Sequence, residues 1–98
     1  MKNIKKRFHK VIGEIRNDIN KENGINGSFP KPMMTAVQME KREATVNCGG
    51  EWSTAEKTKE RANKVMNDRR FIDFLSDTGS TAVIEMNNFK TYQIRIRF

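Results

Sequence analysis

Between Asn3 and Glu22 the apolar residues Ile4, Phe8, Val11, Ile12, Ile15 and Ile19 recur at steps of three and four, the spacing that lines one face of an α-helix. The pattern predicts an amphipathic N-terminal helix over this span. Its β-branched residues and Gly13 lower its intrinsic propensity, the glycine alone by about 1 kcal/mol against alanine, so its apolar face needs a packing partner.

A second helical pattern starts at Ser53-Thr54-Ala55-Glu56, where a serine followed three residues later by a glutamate has the form of a capping box with Ser53 as the cap. Ala55, Ala62, Val65 and Met66 then share a face, and Glu60 precedes Lys64 by one helical turn on the solvent side. Beyond Asn67 the stripe is lost. Phe71, Ile72, Phe74 and Leu75 fit a fresh short helix capped by Asn67-Asp68, so a break is expected near Asp68. Four large apolar side chains in so short a run, each contributing roughly 1.5–3 kcal/mol when buried, make this segment the expected centre of the core. Asp77-Thr78-Gly79 stops the helix, with Gly79 suited to a left-handed cap.

From Thr81 the period changes to two. Ala82, Ile84 and Met86 alternate with polar or smaller positions, as do Tyr92, Ile94, Ile96 and Phe98 with Gln93, Arg95 and Arg97, which predicts a C-terminal antiparallel hairpin turning at Asn87-Asn88. Directly opposed residues share a face, so the loop must be odd in length. A three-residue loop sets Ile84 against Tyr92, and a five-residue loop sets Ile84 against Ile94. The last strand is expected at an edge of the sheet, with Arg95 and Arg97 on its polar face.

The middle of the chain is less regular. Asn23 to Pro32 has the composition of an internal linker, with two prolines and Phe29 as its expected anchor to the core. Met33 to Asn47 fits a strand or a helix, and a strand over Met39 to Asn47 is preferred because a lone hairpin is marginally stable and gains from a third strand. Asn47-Cys48-Gly49-Gly50 follows as a turn, and Trp52 as a hydrophobic staple on the next helix. The expected fold class is therefore α+β: an amphipathic N-terminal helix, a linker with a candidate strand, a broken second helix and a C-terminal antiparallel β-hairpin, in one domain over residues 1–98.

Charge alters this picture more than any catalytic pattern does. The chain of 98 residues carries a formal charge of +7, which favours polyanionic partners and solubility alike. Lys2, Lys5, Lys6, Arg7 and Lys10 crowd the start of the first helix while Glu14, Asp18 and Glu22 lie towards its end, against the sign that the helix dipole prefers. Local conflicts of this kind concentrate at functional positions. Lys2, Lys5, Lys6, Arg7 and Lys10, with Arg95 and Arg97, are thus the candidate nucleic-acid-binding residues, and Arg69-Arg70 add cations between the helices.

The chemistry that would make an enzyme is sparse. Cys48 and His9 are the chain's one cysteine and one histidine, which excludes an internal disulfide and makes a zinc site within one chain or a Cys–His nucleophile a poor reading. Cys48-Gly49-Gly50 lacks the glycine spacing of a phosphate loop, and Asp68, Asp73, Asp77 and Glu85 suit caps and solvated faces as well as a metal centre for phosphodiester cleavage. No apolar run reaches the roughly 18 residues of a membrane span, and no secretory signal follows the N-terminal charges, so a cytoplasmic protein without cofactor is expected. The sequence supports a small, basic, non-enzymatic binding protein contacting nucleic-acid backbone, DNA or RNA, through its Lys/Arg surface. Its rival is a protein-interaction subunit, an inhibitor or a viral or mobile-element assembly component, docking an acidic partner protein. An exposed edge strand leaves room for a homo-oligomer.

Overall fold

A computed structural model describes residues 3–23, 42–49 and 53–98. Among them lie helices α1 (Ile4–Asn23), α2 (Ala55–Asn67) and α3 (Arg69–Thr78), and strands β1 (Glu43–Asn47), β2 (Thr81–Met86) and β3 (Tyr92–Arg97). The strands form one antiparallel sheet in the order β1-β3-β2, with the helices on one face, so the α+β reading holds. The expected linker after Asn23, the anchor Phe29, the staple Trp52 and the strand residues Met39 to Lys41 lie outside the described residues.

The stripe of α1 is buried as its spacing requires: Phe8, Ile12, Ile15 and Ile19 are enclosed, while Ile4 and Val11 flank them half-buried. In α2 the cap falls one residue later than the sequence reading. Thr54 Oγ1 accepts the Lys57 amide at 3.1 Å, while the Ser53 hydroxyl accepts Arg61 Nη1 at 3.0 Å. The break near Asp68 occurs. Asp68 is extended (φ −74°, ψ 131°) and its carboxylate accepts the Arg70 amide at 2.9 Å, ending α2 and capping α3 in one residue. Gly79 at φ 65° takes the left-handed position, and the Ser80 amide returns to the Leu75 carbonyl at 2.9 Å.

The core is not centred on the α3 run alone. Phe71 and Phe74 are enclosed, but Ile72 is 40% exposed, since one residue further along a helix turns a side chain by about 100°. Phe8 of α1 shares the centre, meeting Phe74 and Phe98 at ring separations of 6.2 and 5.9 Å in tilted and edge-on contacts.

The hairpin takes the five-residue alternative, Asn87 to Thr91, so that Ile84 faces Ile94 and Ala82 faces Ile96. Asn87 Oδ1 accepts the amides of Phe89 at 2.9 Å and Thr91 at 3.2 Å, fixing the loop from within, and Lys90 adopts φ 60°. β3 is the central strand, not an edge, because β1 pairs along its other side with Ala44 opposite Ile96 and Val46 opposite Ile94. The candidate strand thus exists over Glu43–Asn47, and Arg42 at φ 60° marks its start.

Cys48, which follows β1, is fully enclosed beneath α2. Its neighbour Gly49 lets the chain pass close to α2, for a Cβ there would lie 2.9 Å from the Thr58 methyl. Thr58 itself joins layers, donating to the Ala55 carbonyl and accepting the Tyr92 amide, each at 2.8 Å. Beside it Arg61 is 1% exposed, with Nη1 on the Cys48 carbonyl at 2.9 Å; among the described residues it has no carboxylate partner, and Nε and Nη2 have no hydrogen-bond acceptor. Burial pulls this guanidinium below its ordinary pKa.

Candidate nucleic-acid interface

Lys5, Lys6 and Lys10 project from the first two turns of α1 and are exposed, as is Lys21 near its end. On a helix, steps of four and eleven residues return to within about 60° of one another, so Lys6, Lys10 and Lys21 form one stripe on the face opposite Phe8, Ile12, Ile15 and Ile19. The stripe spans roughly 22 Å at 1.5 Å per residue. Lys21 was missed because the sequence reading weighed local crowding at the N-terminus; the eleven-residue step from Lys10 was the available signal. Lys2 lies outside the described residues.

The arginines of the candidate set behave differently. Arg7 sits on the flank of α1 that meets α3, bridging to Asp77 at 3.1 Å with its guanidinium carbon 5.7 Å from the Phe74 ring centre. Arg95 pairs with Glu85 at 2.7 Å and Glu43 at 3.5 Å, and Arg97 pairs with Glu43 at 3.0 Å. Arg70 bridges Asp18 and Asp68 at 2.8 and 2.9 Å, and Arg69 reaches Asp73 at 3.4 Å. Arg95 and Arg97 therefore lie on the sheet face away from the helices, where cross-strand carboxylates neutralise them, and α1 runs on the other side of the sheet. The two basic regions that the sequence suggested are not one surface.

These pairings also disperse the carboxylates considered for a metal centre. Asp68, Asp73, Asp77 and Glu85 are held by Arg70, Arg69, Arg7 and Arg95 respectively, and among the described residues no three His, Cys, Asp or Glu side chains converge as metal ligands. Cys48 and His9 have separate surroundings. Burial pushes the Cys48 thiol up to about 12, with Sγ 3.7 Å from the Val46 carbonyl, while His9 stacks edge-on against Phe8 at 5.3 Å.

Acid sensitivity follows from two of the paired carboxylates. The Arg70 hydrogen bond holds Asp68 below its ordinary value of 3.8, and hydrogen bonds from Gln93 and Arg95 hold Glu85 below 4.5. In the window between those depressed values and the ordinary ones the unfolded chain binds more protons than the folded chain, so stability must fall as pH falls. Denaturant melts from pH 7 downwards are expected to show constant stability until about 4.5 and a steady decline below it. Asp68→Asn, which keeps a capping side chain, should make that decline shallower; an unchanged slope would show that Asp68 does not contribute to it.

The opposite face of the sheet is bare among the described residues. Near the hairpin it forms an open groove of about 570 Å³ lined by Asn47, Glu85, Gln93 and Arg95, with Phe89 86% exposed at its rim. No helix among the described residues is long and apolar enough to cross a membrane.

Fold and surface together define a small basic α+β domain with a lysine-bearing helix on one side and an ion-paired sheet face on the other. Compared with known proteins, the chain matches no family model, no curated protein and no solved structure.

Proposed function

We propose that this protein is a non-enzymatic binder of nucleic-acid backbone, which it contacts through Lys5, Lys6, Lys10 and Lys21 on the solvent side of α1, with Lys2 as a further contributor. The observation that carries the reading is the division of labour among cations. Lys5, Lys6, Lys10 and Lys21 are exposed and make no ion pair with a described residue, whereas Arg7, Arg69, Arg70, Arg95 and Arg97 are each committed to a carboxylate. An unpaired ammonium has no intramolecular partner to give up when it meets a phosphate, so its contact is limited mainly by counterion release. The same lysines explain why α1 tolerates cations at its positive end: a bound polyanion removes the conflict with the helix dipole.

The protein-interaction reading keeps one observation in its favour. Phe89 stands almost wholly in water on a loop fixed by Asn87, beside a bare sheet face, and such a held aromatic suits a pocket on an acidic partner protein.

Binding to generic duplex and single-stranded DNA and RNA, titrated across salt, separates the two. A steep loss of affinity with salt is expected, together with weakened binding on replacing Lys5, Lys6, Lys10 and Lys21 by alanine. Absence of binding at low salt would overturn the nucleic-acid reading in favour of the protein partner.

A further inference from the structure

We propose that β2 is a self-association edge, and that two copies of this chain pair their β2 strands antiparallel, Val83 opposite Val83, into one continuous six-stranded sheet. The first observation is an asymmetry beneath the sheet. On the helix side, Ala44 and Val46 of β1 and Ile94 and Ile96 of β3 are fully enclosed, yet Ala82 and Ile84 of β2 are only half-buried and Met86 is 50% exposed. α2 packs on β3, and no helix among the described residues packs extensively on either outer strand, so the difference between them lies in how deeply their helix-side residues are enclosed. Both outer strands border the same central strand, so this half-open row is a property of the β2 side alone.

The second observation is that the edge is unguarded. Edge strands are usually blunted by lysine, proline, a bulge or an inward charge. β2 has no lysine, proline or unpaired register position, and Val83 on its polar face is 55% exposed. Its one charge, Glu85, is turned towards β3, accepting from Gln93 at 2.9 Å and Arg95 at 2.7 Å. Among the described residues β2 pairs only with β3.

Charge admits a second copy of the chain as the occupant of this edge. Two copies at +7 each repel wherever their cations meet, but the chain has no lysine or arginine between Arg70 and Lys90, the segment that contains β2. This is where a second copy can approach without placing cation on cation. A two-fold axis through the sheet keeps both apolar rows on the helix side only if positions of like parity face each other, which allows Val83 on Val83 or Ile84 on Ile84. The Ile84 register would set Glu85 against the partner's Val83. The Val83 register instead joins the two exposed valines and sets Glu85 opposite the partner's Thr81, in the cross-strand row that holds the partner's Arg97.

Single-cysteine variants read the register directly, since Cys48 is enclosed and its thiol is held in the protonated form. Val83→Cys should form a disulfide-linked dimer under mild oxidation faster than Thr81→Cys or Ile84→Cys. Sedimentation of the unmodified chain should give a dimer of the 11.4 kDa protomer, and Val83→Lys, at an exposed position that leaves the core untouched, should give a folded monomer. A chain that remains monomeric at every soluble concentration would overturn the proposal. So would a dimer indifferent to Val83→Lys, or cross-linking no faster at position 83 than at 81 or 84.

Discussion

Replacing Arg61 by alanine is expected to destabilise the fold by about 3–5 kcal/mol, the range for emptying a large enclosed site. For a chain of this size that corresponds to a loss on the order of 20 °C in Tm. Arg61 is 1% exposed and its Nη1 ties α2 to the Cys48 carbonyl and the Ser53 hydroxyl, so alanine both opens a cavity and frees two acceptors. Arg61→Met separates volume from charge. Burial disfavours the charged guanidinium, which among the described residues has no carboxylate partner and no acceptor for Nε or Nη2, so the positive charge itself opposes folding. Methionine fills most of the space without that cost and is expected to fall within about 1.5 kcal/mol of the native chain. Thermal and denaturant melts of both variants check this. Equal damage from the two would show that the hydrogen bonds of Nη1, rather than the volume it occupies, hold α2 to the end of β1.

The second large effect is on binding and divides the cations into two classes. With Lys5, Lys6, Lys10 and Lys21 changed to alanine, the slope of log affinity against log salt on duplex DNA should flatten by about 3–4, since each lost phosphate contact removes roughly 0.9. Stability should be almost unaffected, because none of the four makes an ion pair within the described residues. Arg95→Ala with Arg97→Ala should do the reverse. It leaves the salt slope in place but strips both partners from Glu43, which is only 9% exposed, at a cost of about 1–3 kcal/mol for a buried group left unsatisfied. Fluorescence anisotropy across salt, paired with denaturant melts, measures both. A slope flattened by the arginine pair and not by the lysines would move the interface to the sheet.

Where local rules act alone, the sequence reading and the structure agree. The period of α1, the break at Asp68, the stop at Gly79 and the odd length of the hairpin loop each depend on residues within a few positions of one another, whereas the choice of five residues over three came only with the structure. The Ser53 cap failed for the complementary reason. The helix starts one residue later, at Thr54, and the Ser53 hydroxyl instead accepts Arg61, eight residues away and placed by packing. The candidate site divided along the same line. Exposure of Lys6 and Lys10 follows from the apolar stripe on the other side of their helix, so it was legible, whereas Lys5 lies on the flank of that stripe beside Ile12 and is exposed in the first turn. That Arg7 belongs to Asp77, seventy residues away, was not.

By itself, then, the sequence determined the element types outside the Met33 to Asn47 stretch, the apolar faces and the charge surplus, because periodicity and capping are set over one or two turns of chain. Only the tertiary structure decided that β3 lies between β1 and β2, that Cys48 and Arg61 are enclosed, and which cations have partners. Strand order and ion pairing depend on which distant segments meet, and that is settled by how the apolar faces pack together rather than by any pattern within a single element.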